Sequence, residues 1–230
     1  MDFENINWAV ILLQYGVLLF SLCFHETAHA WMAERCGDPS ARLLGRITLN
    51  PMAHADPIGT VVMPLIMMVF GFPFLFGWAK PVPFNPVNLN NIRRDPVLIA
   101  VAGPASNVVI ALVTAVLLKV VVVISGGFEA QGGPIPDPVA MVAAYLILIN
   151  LVLFTFNLIP VPPLDGHYVL GYLLPPKGEE MLQQIGPMGI VIAILLARPL
   201  LSTFVPIFLL PFMLFLPELN IGLNLMYEAR

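Results

Sequence analysis

Residues 25–29 read His-Glu-Thr-Ala-His inside an apolar stretch. On a helix, positions four apart share a face, so His25 and His29 can turn both imidazoles toward one metal ion. Glu26 projects beside the pair and can take a proton from a water that the ion polarises. Three ionisable groups in hydrocarbon are costly, so a cluster at that depth marks a functional site. A catalytic zinc site takes three protein ligands and keeps a fourth position open. Glu34 is a poor third ligand, because five residues past His29 puts it about 140° round the helix. The strongest candidate is Asp165, in Asn157-Leu-Ile-Pro-Val-Pro-Pro-Leu-Asp165-Gly166. An acid at the end of an apolar span is unusual. Pro160, Pro162 and Pro163 hold the backbone there extended, and Gly166 permits a tight turn just past the carboxylate.

The elements that must position these residues are membrane spans. The chain of 230 residues is 59% hydrophobic and only 10% charged, against about 25% charged for a soluble globular protein. Mean hydropathy is +0.89. No basic cluster or aromatic-basic interleaving suggests nucleic-acid binding. Cys23 and Cys36 do not form a metal pair by spacing, and Cys23 reads as a small apolar residue. The first residues lack a basic region, so the apolar run from Trp8 reads as a retained span and not a signal peptide. Five apolar regions stand near the ~20 residues that cross hydrocarbon: residues 8–33, 58–76, 97–124, 139–160 and 188–216. Arg198-Pro199 interrupts the last, which reads as two short helices or as one span plus an interfacial piece. The expected class is therefore an all-α polytopic membrane protein of about five transmembrane segments. The loops are too short for a folded soluble domain, so residues 1–230 read as one integral membrane domain.

Basic residues suggest how the spans are threaded. Arg35, Arg42 and Arg46 follow the first span, and Lys80, Arg93 and Arg94 follow the second apolar region; residues 126–138 carry no Lys or Arg. Both basic loops lie on the cytoplasmic side if the second region enters and leaves on the same side. Pro64, Gly71 and Pro73 fit such a broken, re-entrant segment. Residues 46–51 (Arg-Ile-Thr-Leu-Asn-Pro) alternate like a strand and end in a turn signal. The expectation is a re-entrant or β-hairpin element within residues 43–77, whose edge would hold an unwound substrate strand. Depth agrees with this threading. His25 lies about 17 residues, or ~25 Å, into its helix, and Asp165 follows the end of the fourth region. The two meet only if those spans run in the same direction.

Taken together these segments resemble the site-2 protease family of intramembrane metalloproteases, in the compact bacterial and archaeal form without a PDZ domain. The residues that carry the resemblance are Phe24-His-Glu-Thr-Ala-His29, Asn50-Pro-Met-Ala-His-Ala-Asp-Pro-Ile-Gly-Thr60, Gly77-Trp-Ala-Lys-Pro-Val-Pro83, Ala102-Gly-Pro-Ala-Ser-Asn107 and Asn157 to Gly166. The family implies one zinc ion per chain held by His25, His29 and Asp165, with Glu26 as the base. It also implies a re-entrant β element after the first catalytic helix. The implied substrates are single-pass transmembrane proteins in the lipid bilayer, cut in regulated intramembrane proteolysis. The implied setting is a prokaryotic cell membrane with the active site toward the cytoplasm. His167 departs from the family, where a small residue is common, and leaves open an approach to the metal, a packing role or a hydrogen bond.

Other residues carry weaker signals. His54 reads as a structural loop histidine, a gate or an extra ligand. Asn157 and Asn107 are buried amides that must be satisfied; they either tie spans together or donate to the oxyanion of the reaction. Gly103 and Ser106 allow close helix approach, the methionines of 61–69 read as lipid-facing or core, and Lys119 reads as snorkelling to the interface. Two other functions use the same residues. A membrane metal-binding or transport protein would use His25, His29 and Asp165 as an ion site, but would need further acids along a path. A prenyl-protein peptidase would need a Glu ligand downstream of the motif.

Overall fold

A computed structural model describes residues 7–70, 77–125, 137–186 and 188–228 of the chain. Helix α1 (Trp8–Arg35) leads to two single-turn helices, α2 (Ser40–Leu43) and α3 (Pro51–His54). A π-helical turn over Pro57–Val62 then runs into α4 (Met63–Val69). After a 3-10 turn at Pro86–Asn88 come α5 (Asp95–Ile124), α6 (Asp137–Asn157), α7 (Gly166–Leu173), α8 (Pro176–Gln184), α9 (Met188–Phe215) and α10 (Leu219–Glu228).

Four of the described helices, α1, α5, α6 and α9, are long and apolar enough to cross a membrane. The expected count of five is not reached among the described residues. Among the described residues the second apolar region is helical over Pro57–Val69, and its shorter apolar helix, Pro57–Met67, falls short of the ~30 Å of hydrocarbon at 1.5 Å per residue. Residues 71–76 of that region, and residues 126–136 of the loop without basic residues, lie outside the described residues. The chain resumes at its starting point: Trp78 N–H donates to Gly59 O at 3.2 Å, and Lys80 N–H donates to His54 O at 2.8 Å. The expected break at Arg198-Pro199 does not occur. Helix α9 is continuous despite Pro199, Pro206 and Pro211.

No strand forms over residues 43–60, so the expected hairpin is replaced by helical turns. The cause lies in two Asx-Pro pairs, Asn50-Pro51 and Asp56-Pro57, and a third, Asn85-Pro86, acts the same way further along. The Asn50 side chain accepts from Met52 N–H at 3.0 Å, and Asp56 Oδ1 accepts from Ile58 N–H at 3.0 Å and Gly59 N–H at 2.6 Å. Asn85 does the same for Val87 N–H at 3.1 Å. Each proline stands where a helix start needs no N–H, and each Asx caps the turn that follows. Such pairs start helices as readily as they end strands.

Helices α1, α5 and α6 form the centre of the bundle, with α10 and α9 packed on α6. Ala111 and Ala115 of α5 and Ala143, Ala144, Ile147 and Leu151 of α6 are buried in one cluster with Val10 and Val17 of α1. Small side chains let the helix backbones approach closely in lipid. Outward faces are apolar: Leu117 of α5 is 60% exposed and Leu195 of α9 is 72% exposed. Lys119 does not stand alone at the interface; its Nζ lies 3.7 Å from Glu218 Oε1, between α9 and α10.

The end of α1 is built to hold the loops that follow. Gly37, at φ 104, closes the helix with N–H bonds from Gly37 to Glu34 O and from Asp38 to Ala33 O, each 3.0 Å, the pattern that a left-handed residue past a helix end provides. Asp38, 0% exposed, then collects Ser40 Oγ at 2.6 Å, Asn85 N–H at 2.6 Å and Asn88 Nδ2 at 2.8 Å. Arg46 reaches Ala53 O, Lys80 O and Pro81 O. The two basic loops are therefore packed together at one end of the bundle. Burial pushes the Asp38 carboxyl up, but the bonds from Asn88, Ser40 and Asn85 overcome this and hold it below the ordinary carboxylate value. The resulting stabilisation is present above the unfolded pKa and lost as pH falls through the folded one. Asp38→Ala is expected to cost on the order of 2 kcal/mol at neutral pH. Thermal unfolding in detergent should show that deficit shrinking as the solution is acidified below the carboxylate range.

Candidate metal centre

His25 and His29 lie one turn apart on α1, and both are buried, at 4% and 8% exposed. The prolines of the segment after α6 bring Asp165 back over them. Asp165 Oδ2 stands 3.2 Å from His25 Nε2 and 3.4 Å from His29 Nε2, and the two Nε2 atoms are 3.0 Å apart. Among the described residues these are the one group of three or more His, Cys, Asp or Glu side chains whose ligand atoms lie within 4.8 Å of one another. The close turn at Gly166 is enforced by the backbone: a Cβ there would strike Leu158 O. Helix α9 braces the same segment, since a Cβ on Gly189 would strike Pro162 O.

Hydrogen bonds behind the rings fix where their protons are. His29 Nδ1 lies 2.7 Å from Ile99 O. A carbonyl only accepts, so His29 Nδ1 carries a proton and Nε2 is the nitrogen turned toward Asp165. His25 Nδ1–H donates to Asn107 Oδ1 at 2.7 Å, which turns its Nε2 toward Asp165 as well. Asp165 Oδ2 is buried and has no hydrogen-bond partner. Three ligand atoms thus face one point, and with both rings in the neutral Nδ1–H form each of them offers a lone pair to a cation. A tetrahedral zinc site with bonds of ~2.0–2.1 Å has ligand–ligand edges of ~3.3 Å, close to the three separations found. The donor set, two imidazoles and one carboxylate, is the chemistry of a catalytic zinc site with one position left open. The residues fit the metal.

Glu26 follows His25 on α1 and is 9% exposed. Asn157, at the end of α6, is half-buried, and its Nδ2 donates to Leu153 O of its own helix at 3.0 Å. His54 does not join the three ligands. Its Nε2–H donates to Thr48 O at 2.8 Å, the same carbonyl that accepts from Thr27 Oγ1 of α1 at 2.6 Å. The histidine therefore ties the loop after α1 to α1 itself. His167 Nδ1–H donates to Leu164 O at 2.6 Å, and its ring centroid is 3.9 Å from that of Tyr168; it too stays outside the group.

The backbone carbonyl of Ile99 and the side chains of Ser21 and Asn150 escaped the sequence reading. One signal could have found the α5 face. Ile99, Gly103 and Asn107 are spaced by four, as are His25 and His29, and the two helices run in opposite directions with these faces in contact.

Similarity to known proteins agrees with this chemistry. The chain is 36% identical over 188 residues to the protein named "Putative zinc metalloprotease YwhC" of Bacillus subtilis, which covers 82% of this chain and 81% of that one. It is 28% identical over 194 residues to Rip2 of Mycolicibacterium smegmatis, a protein of the same designation, covering 84% of this chain and 70% of that one. Rip3 of Mycobacterium tuberculosis is 28% identical over 192 residues, covering 82% of this chain and 38% of that longer protein. Neither a family model nor a solved structure matches. With ligand atoms of His25, His29 and Asp165 gathered among apolar helices, and with relatives of this identity and coverage, the chain belongs to the site-2 protease family of zinc metalloproteases.

Proposed function

We propose that residues 1–230 act as one intramembrane zinc endopeptidase, which hydrolyses a peptide bond within or next to the transmembrane segment of a membrane-tethered protein. The observation that carries this reading is the convergence of three metal-ligand atoms, with Glu26 next to His25, inside an apolar helix bundle. His25, His29 and Asp165 hold the ion, one per chain. Zinc supplies Lewis-acid polarisation of the scissile carbonyl and acidifies water at the open position. Glu26 accepts the proton of the attacking water at its carboxylate and later returns it to the leaving amine. Asn157 is a candidate donor to the developing oxyanion.

The substrate is a single-pass membrane protein whose helix must unwind locally, because its carbonyls are otherwise held in i→i−4 bonds. With no strand over residues 43–60, that segment offers no sheet edge for the unwound chain. A re-entrant segment within residues 43–77 is supported by the bond from Trp78 N–H to Gly59 O, which brings the chain back beside Pro57–Val62. Both basic loops then share the end of the bundle where the site lies, so the site faces the cytoplasm across the cell membrane of a prokaryote. A transport function would need a succession of ligating groups along a path, and the described residues hold one such group.

The test is cleavage of a single-pass substrate by the purified chain in proteoliposomes. Cleavage should stop when a chelator strips zinc, return with zinc and not with magnesium, and fall within or beside the hydrocarbon. Vesicles that pass zinc through the protein while every single-pass substrate stays intact would replace this reading with the transport one.

A further inference from the structure

Three side chains lie wholly buried behind His25: Ser21 on α1, Asn107 on α5 and Asn150 on α6, each 0% exposed. They form one hydrogen-bonded chain whose polarity is set from its far end. Leu146 O only accepts, so the Asn150 atom 2.8 Å away is Nδ2, a donor. The same Nδ2 donates to Ser21 Oγ at 2.9 Å, and the Ser21 hydroxyl donates to Val17 O at 2.8 Å. Asn150 Oδ1 therefore faces Asn107 and accepts from its Nδ2 at 2.8 Å. Asn107 Oδ1 is left toward His25, where it accepts Nδ1–H at 2.7 Å.

The two metal-facing histidines differ in this respect. His29 is oriented by a backbone carbonyl, which cannot turn over. His25 depends on a side-chain amide, which can. A flipped Asn107 would offer N–H to Nδ1, drive the imidazole proton to Nε2 and cap the lone pair that the ion needs.

We propose that Asn150, anchored by Leu146 and Ser21, is a positioning residue for the metal centre: it locks the Asn107 amide and so keeps His25 in the tautomer that presents a bare Nε2. The proposal rests on the zinc reading of the site. Asn150 touches neither metal nor substrate and acts through Asn107.

The experiment measures zinc affinity of the purified full chain by competition with a chromophoric chelator, alongside the thermal midpoint of the metal-free protein. Asn150→Leu should bind zinc about 10- to 100-fold more weakly, the range seen when outer partners of metal-binding histidines are removed. Ser21→Ala should change little, since Leu146 O still orients Asn150. Adding Asn107→Asp to Asn150→Leu should bring the affinity back toward wild type, because a carboxyl group presents an acceptor to His25 whichever way it turns. It should do so without restoring the thermal midpoint. If Asn150→Leu fails to fold, Asn150→Ser serves the same purpose: its hydroxyl can bond its own helix but is too short to reach Asn107. Wild-type zinc affinity in the Asn150 variants, or a double variant no better than Asn150→Leu, would overturn the proposal and leave Asn150 as a packing group between helices. A wild-type chain that binds no zinc would instead overturn the site reading itself.

Discussion

Glu26→Gln is expected to keep zinc at the wild-type ratio and lose about 10²- to 10⁴-fold in turnover, the range assigned to a positioned general base. The change is almost isosteric and leaves His25, His29 and Asp165 untouched, so the ion has no reason to leave. The amide, however, has no basic site for the proton of the attacking water. Glu26 is buried beside the ligands at 9% exposure, so bulk water is a poor substitute for it. Its interaction grows as the proton moves and contributes little before that. The loss should therefore fall on kcat and on kcat/KM alike, with KM nearly unchanged. The measurements are single-turnover cleavage of a transmembrane substrate and metal analysis of the same preparation. Turnover within about tenfold of wild type, with zinc in place, would remove Glu26 from the chemistry and require another base.

The spans were the most legible part of this chain, because some 20 consecutive apolar residues have few alternatives in lipid. The convergence of Asp165 on His25 and His29 was also readable. A carboxylate after a proline-rich span end, together with the distribution of Lys and Arg, demanded spans that run in the same direction. The segment after α1 was not legible as structure. Alternation over Arg46-Ile47-Thr48-Leu49 satisfies a strand template, but Asn50-Pro51 and Asp56-Pro57 cap helical turns, and local side-chain bonds decided the outcome over so short a stretch. The support of the metal centre was legible only in part. Asn107 stood out as a buried amide, whereas Asn150 in the run Leu146-Ile-Leu-Ile-Asn-Leu-Val reads as an isolated polar residue until its partner Ser21, 129 positions away, is brought beside it. Gly103 was assigned to helix packing, and its neighbours give it a more exact task.

Gly103→Ala is expected to abolish tight zinc binding. An added Cβ would strike His29 Nε2 and stand 2.5 Å from His29 Cε1 and 2.7 Å from His25 Cε1, closer than real Cβ contacts come. The atom at greatest risk is therefore one of the metal-facing nitrogens. Neither ring can withdraw cheaply. His29 is held by Ile99 O and His25 by Asn107 Oδ1, both at 2.7 Å, and both partners belong to α5, the helix that would carry the new methyl group. Parting α1 from α5 would open the buried contacts beneath Ala111 and Ala115. The rings must then swing off the common point, so the loss should exceed the ~10- to 100-fold caused by removing one outer partner. Helix propensity works in the opposite direction, since alanine in place of glycine favours a helix by about 1 kcal/mol, so the metal-free protein should not lose its fold. The contrast to measure is zinc stoichiometry of Gly103→Ala against Ala105→Leu, two residues along α5 on an exposed face, which should keep the metal. A Gly103→Ala protein that binds zinc as tightly as wild type would mean that the imidazoles do not sit in the hollow left by Gly103, and the proposed ligand geometry would fall with it.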